Sequence, residues 1–290
     1  MKTSLFRPCI ALFLVCAFLF VGCISDKPRT PDKGLLAAPP PSCNPPNTPV
    51  TPHVDTPIQQ EGPNVWDVSD LSLSHIDPTR KLIAFTFDDA PARTLENILA
   101  VFAAFNENNP DCKASGTLFV NGKRAENYSP VLLSTAYAMG FELGNHTHSH
   151  YDLTTLDEQT LREEIQRTDD ILARIDGKAR HLLRAPFGKT NERVKQAVFT
   201  PLIDWTIDTL DWTGIPADDV YNTVFSQRFS GAIVLMHDGY PNTVTALKRL
   251  LPDLKADGYQ VVSVSLLAKA HGCVLERGKT YIRARKQKTT

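Results

Sequence analysis

The sequence KLIAFTFDD, residues 81–89, is an apolar run that ends in two adjacent aspartates. Short apolar runs of this kind indicate buried strands. Others cover residues 114–120, 141–143, 181–183, 202–207, 232–236 and 260–264. Amphipathic stretches separate them, and the clearest predicts a helix from Asp157 to Ile175 with a capping box from Thr155 to Glu158. Alternation over about 200 residues predicts an α/β domain of parallel strands, in an open sheet or a barrel, and seven or eight units favour the barrel.

Side chains suited to catalysis follow these predicted strands at their carboxyl ends. They are Asp88 and Asp89, His146 and His150, Arg184, Asp211 with Trp212, and His237. In a parallel barrel the loops after the strands open on one face, where such folds place their active sites. Taken singly, each residue also has an ordinary structural explanation, as a helix cap, an ion pair, a core tryptophan or a buried histidine. Their occurrence after five different strands predicts one shared site.

The segment Gly144 to His150, GNHTHSH, contains two histidines four positions apart, His146 and His150. In an extended strand they would lie roughly 13 Å apart, but on a loop or a helical turn they are close enough to share one metal ion. A solvated helix face is the alternative explanation for such a pair. The other candidate residues along the chain favour the metal site.

Composition excludes several classes of function. The formal net charge is −1, so no basic excess predicts binding to nucleic acid. No glycine fingerprint for dinucleotides and no phosphate-binding glycine loop follows a predicted strand, so no nucleotide cofactor is expected. No Gly-x-Ser-x-Gly sequence is present, which leaves a serine hydrolase unsupported.

The amino-terminal residues 1–23 are typical of a secretory signal, with Lys2 and Arg7 ahead of an apolar run from Ile10 to Val21. The sequence Phe20-Val21-Gly22-Cys23 resembles the lipobox of bacterial lipoproteins, which predicts lipidation at Cys23. Ordinary signal cleavage and an uncleaved anchor are the alternatives. We therefore expect secretion across the bacterial inner membrane and anchoring by lipid at the cell envelope.

Three further regions follow the signal. Residues 24–63 are rich in proline and poor in large apolar residues, which predicts an extended linker without a core. Residues 64–272 form the predicted catalytic domain, and residues 273–290 form a basic tail that we expect to be solvated. Beyond Cys23 the chain has Cys43, Cys112 and Cys273, which allow one disulfide and one free thiol without indicating the pairing.

Five motifs resemble those of the polysaccharide deacetylases, the NodB-homology group or carbohydrate esterase family 4. In chain order they are Thr86-Phe87-Asp88-Asp89, His146-Thr147-His148-Ser149-His150, Arg184-Ala185-Pro186-Phe187-Gly188, Asp208-Thr209-Leu210-Asp211-Trp212 and Leu235-Met236-His237. The resemblance covers Lys81 to Leu267. It implies a distorted (β/α) barrel and an enzyme that removes acetyl groups from N-acetylglucosamine polymers or acetylated xylan.

The resemblance also implies a role for each residue. Asp89, His146 and His150 would bind a divalent metal, usually zinc, with cobalt and nickel as alternatives. Asp88 would be the general base, oriented by Arg184, and His237 the general acid, supported by Asp211. The backbone N–H of Phe187 would stabilise the oxyanion, and Trp212 and Leu235 would form a slot for the acetyl methyl group. Two histidines and one aspartate would leave the metal an open coordination position, and water bound there could be activated.

Two positions depart from the family pattern. Ala90 replaces a glycine, and if this position has a positive φ the alanine would cost about 1 kcal/mol or more. Phe187 replaces a tyrosine, which removes a phenol but keeps the backbone N–H.

The resemblance predicts a metal-dependent deacetylase that acts on N-acetylglucosamine residues of an extracellular polysaccharide, most simply peptidoglycan. An acetylxylan esterase, a chitin or chitooligosaccharide deacetylase, and a non-catalytic lipoprotein that binds the cell wall are the alternatives.

Overall fold

The computed structural model describes residues 64–128 and 130–285. The predicted signal peptide, the lipidation at Cys23, the proline-rich linker and Cys43 lie outside these residues. Within them, no helix has both the length and the apolar character needed to cross a membrane.

Strands and helices alternate along the described chain. The strands are β1 (Lys81–Ala90), β2 (Thr117–Val120), β3 (Glu142–Asn145), β4 (Leu202–Ile203), β5 (Ile207–Asp208), β6 (Ile233–His237), β7 (Tyr259–Val262) and β8 (Thr280–Tyr281). The α-helices are α1 (Leu95–Asn108), α2 (Gly122–Asn127), α3 (Pro130–Ala138), α4 (Glu158–Asp176), α5 (Glu192–Ala197), α6 (Ala217–Gln227), α7 (Pro241–Ala256) and α8 (Val264–His271). Short 3₁₀ helices cover Leu153–Thr155, Pro186–Gly188 and Asp211–Thr213.

The central strand is β1, and every ladder between named strands is parallel. The order across the main sheet is β3-β2-β1-β6-β5, and β7 pairs with the first half of β1. Almost every side chain of β1 is buried. Parallel strands covered on both faces are apolar throughout rather than alternating, which explains the continuous apolar run from which the strand was predicted.

The parallel pairings continue beyond β3 through a single residue. Leu183 bridges Asn145 at the end of β3 and Leu202 at the start of β4. The chain then reaches β5 after residues 204–206, and β5 pairs with β6. The predicted α/β fold of parallel strands is confirmed, and among the described residues no ladder joins β4 to β5 to close a barrel. The expected strand at 181–183 is reduced to this bridge, and the expected strand at 202–207 is divided into β4 and β5.

The longest helix, α4, confirms the predicted helix to within one or two residues at each end. Its cap differs from the prediction. The carboxylate of Asp157 accepts the backbone N–H of Thr160 at 2.8 Å, so Asp157 is the N-cap and Thr155 belongs to the preceding 3₁₀ helix. Leu161 and Leu172 are buried on the apolar face that the periodicity predicted.

The predicted solvated tail is wrong for residues 273–285. β8 pairs with β4, and Cys273, Leu275 and Ala284 are buried. The prediction was based on the basic residues of this segment and overlooked its few apolar residues. These complete a hydrophobic cluster with Leu82 and Val262.

The cysteines of the described residues are both reduced. Cys112 and Cys273 are buried free thiols, so the disulfide between these two that the count allowed is not formed. Burial raises the pKa of the Cys112 thiol, which keeps it protonated and unreactive.

Candidate active site

The candidate residues meet at the carboxyl ends of β1, β3 and β6, as the sequence predicted. Asp88 is the register partner of His237 across the β1–β6 ladder. On the other side, β2 lies between β1 and β3, and β3 leads directly into the loop that carries His146 and His150. Strands β3, β1 and β6 of one sheet therefore bring the carboxylates and the imidazoles to one place.

Asp89, His146 and His150 form a potential metal site. One ligand atom from each residue lies within 4.8 Å of the other two. The Nε2 atoms of the two histidines are 3.2 Å apart, and His150 Nε2 is 3.7 Å from Asp89 Oδ1. This spacing and this set of two imidazoles and one carboxylate fit a zinc ion with an open coordination position.

The hydrogen bonds of the histidines also fit a metal. Nδ1 of His146 is 2.8 Å from the carbonyl oxygen of Arg184. Because a carbonyl only accepts, Nδ1 carries the proton and donates it, which leaves the Nε2 lone pair directed at His150 and Asp89. Burial, followed by the charge of His146, lowers the pKa of His150 to about 4, so His150 is a neutral imidazole at neutral pH.

Asp88 is buried against the guanidinium of Arg184. Arg184 Nη1 donates to Asp88 Oδ1 at 2.7 Å and to the hydroxyl of Thr86 at the same distance. The other guanidinium nitrogens donate to the carbonyls of Ile203 and Asp204, and Phe119 covers its face at 4.2 Å. Burial alone would raise the pKa of Asp88, but Arg184, then His146 and His237, hold it below its ordinary value.

His237 is paired with the buried carboxylate of Asp211. Nδ1 of His237 lies 2.8 Å from Asp211 Oδ1, and the backbone N–H of His237 donates to Oδ2 at 2.7 Å. Thr243 and the N–H of Trp212 donate to the same carboxylate. Burial lowers the pKa of His237, but the hydrogen bond to Asp211 and the charge of Asp88 outweigh it and raise the pKa above 6.5.

Comparison with known proteins agrees with this geometry. Residues 75–199 match the family model for polysaccharide deacetylase. A peptidoglycan-N-acetylglucosamine deacetylase of Bacillus cereus is 33% identical over 206 residues, which cover 65% of this chain and 89% of that protein. The chain belongs to the polysaccharide deacetylase family.

Other members of the family are similar over the same region. PdaC of Bacillus subtilis, a peptidoglycan-N-acetylmuramic acid deacetylase, is 33% identical over 211 residues, and the match covers 72% of this chain. It covers only 44% of PdaC, so the chain spans less than half of that relative. The solved structure of T48 deacetylase with substrate has a TM-score of 0.65 and 29% identity, covering 71% of this chain and 99% of the other.

Left-handed backbone is concentrated at the candidate active site. In the described chain, positive φ at non-glycine residues occurs at Asp89, Thr147, His150, Phe187 and Leu210. Asp89 and His150 belong to the metal triad, Thr147 lies between its histidines, and Leu210 precedes Asp211. Such conformations are costly and persist where the surrounding structure imposes them, as at functional sites.

The condition under which Ala90 would be strained is not met. Positive φ falls on Asp89, at 66°, and not on Ala90. The alanine methyl group is completely buried in the main core cluster, so a glycine is not required there. Aspartate tolerates left-handed backbone better than most residues.

Phe187 lies beside the metal triad, with its ring centroid 4.7 Å from that of His150. Its φ is 60°, and the N–H groups of Gly188 and Lys189 are bonded within the turn while that of Phe187 has no acceptor among the described residues. Trp212 is half exposed in the 3₁₀ helix that begins at Asp211, and Leu235 is buried in β6. The oxyanion and acetyl-slot roles of these three residues stay predictions.

Three residues have contacts at the site that the sequence analysis did not assign. Asn145 accepts the N–H of Thr147 at 2.8 Å and so shapes the histidine loop. Asp238 accepts the backbone N–H groups of Ala92 and Thr94, which holds the turn after β1. Arg124 contacts Asp89. Asn145 and Asp238 are next to motif histidines in the sequence, and this position could have indicated their roles. No local sequence feature indicates the role of Arg124.

Proposed function

We propose that the protein is a metal-dependent hydrolase that removes N-acetyl groups from the amino sugars of peptidoglycan. The proposal rests on a potential metal site with two titratable groups beside it. The pKa of Asp88 is lowered and the pKa of His237 is raised. A base and an acid whose pKa values are moved apart are what amide hydrolysis requires. The similarity to peptidoglycan deacetylases of Bacillus subtilis and Bacillus cereus supports the substrate class.

Asp89, His146 and His150 would hold the metal. A bound divalent ion would act as a Lewis acid toward the acetamide carbonyl and lower the pKa of water nearby. The ligand set favours zinc, and cobalt or nickel would also suit two imidazoles and a carboxylate. The carbonyl of Arg184 keeps His146 in the tautomer whose Nε2 binds metal.

Asp88 would act as the proton acceptor for the attacking water. Its free oxygen, Oδ2, lies 3.7 Å from His146 Nε2, so it borders the position of the metal. Arg184 keeps this carboxylate ionised and holds Oδ1, which leaves Oδ2 to accept the proton.

His237 would donate a proton to the departing sugar amine. Asp211 receives Nδ1–H, so the proton on Nε2 is the one available for transfer. An amine is a poor leaving group unless it is protonated, and acid–base assistance of this kind typically contributes about 10²–10⁴ in rate. Phe187 N–H would donate to the oxyanion as the carbonyl is attacked.

We place the enzyme outside the cytoplasmic membrane. The signal-like residues 1–23 and the lipobox-like Cys23 support export and lipid anchoring, and the proline-rich linker would separate the domain from the membrane surface. Peptidoglycan would then be within its reach.

Acetate release from peptidoglycan by the zinc-loaded protein tests the proposal. Asp88→Asn should lower the rate by about 10²-fold or more while zinc binding is retained, because the proton acceptor is lost and the metal ligands are kept. Asp208→Asn is the matched control. Asp208 also ends a strand, but its carboxylate accepts the N–H of Leu210 in a turn.

Equal rates for wild type and Asp88→Asn would contradict the base assignment. Zinc binding without acetate release from any acetylated glycan would instead indicate a non-catalytic wall-binding protein.

A further inference from the structure

We infer that Asp238 is a positioning residue for the reaction, which fixes the metal ligand Asp89 and the acid His237 relative to each other. The side chain of Asp238 is 1% exposed, and the hydrogen bonds of its carboxylate all come from the turn after β1. It therefore acts through its neighbours, because it directly follows His237 and is bonded to the chain on both sides of Asp89. The inference rests on the proposed function and adds a residue that lies outside the five motifs.

Asp238 is bonded to the chain before and after Asp89. Its backbone N–H donates to the carbonyl oxygen of Asp88 at 2.9 Å. Its carboxylate accepts the backbone N–H of Ala92, and it accepts the N–H and the hydroxyl of Thr94 at 3.1 and 2.7 Å. The metal ligand therefore lies between two anchored points, one residue before it and three residues after it.

The bonds between the turn after β1 and the turn after β6 run in both directions. The hydroxyl of Thr94 accepts the N–H of Gly239 at 2.6 Å, and Nε of Arg93 donates to the carbonyl of Gly239 at 2.8 Å. Each turn thus holds the backbone of the other. Because His237 and Gly239 flank Asp238, a displacement of the turn after Asp89 would also displace the acid.

The left-handed backbone of Asp89 explains why this position needs an anchor. Asp89 has a φ of 66°, a conformation that costs free energy and persists only where the surrounding structure imposes it. Without the bonds that hold residues 92 and 94, the chain could relax toward an extended conformation, and the carboxylate of Asp89 would move away from the two histidines. Metal affinity should therefore depend on Asp238, as it commonly does on residues that orient metal ligands.

The number of donors explains why a carboxylate stands at position 238. Three donors converge on its two oxygens, whereas an asparagine would offer one accepting oxygen and direct its amide toward an N–H group. No ion pair to Asp238 is formed among the described residues. Burial raises the pKa of Asp238, although the hydrogen bonds from Thr94 and Ala92 oppose that rise. A buried carboxylate without a cation is costly, and a positioning role gives a reason for its presence.

Glu142 provides a matched control at the other ends of the strands. It is the first residue of β3, and its carboxylate also accepts three hydrogen bonds, from the hydroxyl of Thr117 and from the N–H and hydroxyl of Ser265. It joins two segments as Asp238 does. The metal triad, by contrast, lies at the carboxyl ends of the strands.

The test compares Asp238→Asn and Glu142→Gln with wild type. Zinc affinity is measured without substrate by competition with a chromophoric chelator, and kcat and KM are measured by acetate release from peptidoglycan. We expect Asp238→Asn to lower zinc affinity by about tenfold to a hundredfold, the range for residues that orient metal ligands. The kcat of the zinc-saturated variant should also fall, and more than KM changes. Glu142→Gln should be less stable to urea but keep the zinc affinity and kcat of wild type.

Thr94→Val tests the same anchor with a smaller change. It removes the hydroxyl that donates to Asp238 and accepts from Gly239, but it leaves the backbone N–H groups in place. Zinc affinity should fall in this variant, but less than in Asp238→Asn. The alkaline limb of the pH profile should stay at its wild-type position in both variants, because Asp211 still pairs with His237.

Unchanged zinc affinity in Asp238→Asn, or an equal loss in Glu142→Gln, would mean that Asp238 contributes only to stability and would overturn the inference. If Asp238→Asn does not fold, wild-type zinc affinity and kcat in Thr94→Val would overturn it instead. A displaced alkaline limb would show that Asp238 acts through its charge and not through position. Absence of acetate release by wild type would contradict the proposed function alone, because the zinc affinities are measured without substrate.

Discussion

At the end of β1, two neighbouring aspartates have different partners because the backbone turns between them. Asp88 is still paired with β6, and its carboxylate accepts a hydrogen bond from the buried guanidinium of Arg184. Asp89 has a left-handed backbone, and its carboxylate faces His150 instead. Adjacent carboxylates would otherwise raise each other's pKa, and separate cationic or metal partners remove that conflict.

The pairing of His237 with Asp211 predicts a pH dependence at the level of single residues. His237 has a raised pKa, so its protonated form persists above 6.5 and is lost as the pH rises through the raised value. The rate should therefore have an alkaline limb above pH 6.5. In Asp211→Asn the charge of Asp211 is lost while the lowering of the pKa by burial remains, which should move this limb to lower pH.

The pH profile of kcat/KM measures this shift. Thr243→Val is the control, because it removes a hydrogen bond to Asp211 but keeps the carboxylate charge, and its limb should stay close to that of wild type. An unmoved limb in Asp211→Asn would mean that another group is the acid.

At the scale of elements, α4 and β3 are joined by a buried charged network beneath the histidine loop. His181 lies between two carboxylates of α4, with Nδ1 at 2.9 Å from Asp169 and Nε2 at 3.1 Å from Asp176. Asn145, at the end of β3, donates to the same Asp169 oxygen at 2.8 Å. The pKa of His181 is raised to about 9, because these two carboxylates outweigh the effect of burial. His181 is therefore a buried cation rather than an uncharged packing residue.

His181→Gln should destabilise the fold by about 3–5 kcal/mol, because two buried carboxylates lose their cation. The contribution of His181 is fully present below pH 6.5 and is lost as the pH rises through about 9. The deficit of the variant should shrink over that interval. Urea unfolding at several pH values measures it.

The double variant Asp169→Asn/His181→Gln is the control. Removing one of the two carboxylates should restore part of the lost stability. Burial already raises the pKa of Asp169, so ionising this group costs free energy that its neutral replacement does not. A loss below about 1 kcal/mol in His181→Gln would show that water compensates the carboxylates.

At the scale of the whole molecule, the last described residues complete the fold. The N–H of Trp66 donates to the carbonyl of Leu275, and the N–H of Ala284 donates to the carbonyl of Gly231. Gly231 has a φ of 97°, and a side chain there would collide with the backbone of Ala284. The carboxyl-terminal segment thus joins the first described residues to the chain that leads into β6.

Truncation after Gly272 should therefore lower the unfolding free energy by about 3 kcal/mol or more, because Cys273, Leu275 and Ala284 would no longer be buried. Truncation after Arg285 is the control and should have a small effect. Calorimetry and urea unfolding compare the two. Equal stability of both truncated proteins would restore the interpretation of residues 273–285 as a solvated tail.

The sequence by itself determined the parallel α/β class, the strands that carry chemistry and the residues of the metal triad. Apolar runs indicate buried strands, and a polar residue directly after such a run can be recognised within one segment of the sequence. Tertiary structure alone decided that Arg124 contacts Asp89, that His181 is held between two carboxylates, and that β8 pairs with β4. Two of these contacts join residues far apart in sequence, and the His181 contacts, with residues 5 and 12 positions away, depend on how the chain turns back after α4. No local pattern encodes those features, because the free energy that selects them arises only when distant segments pack together.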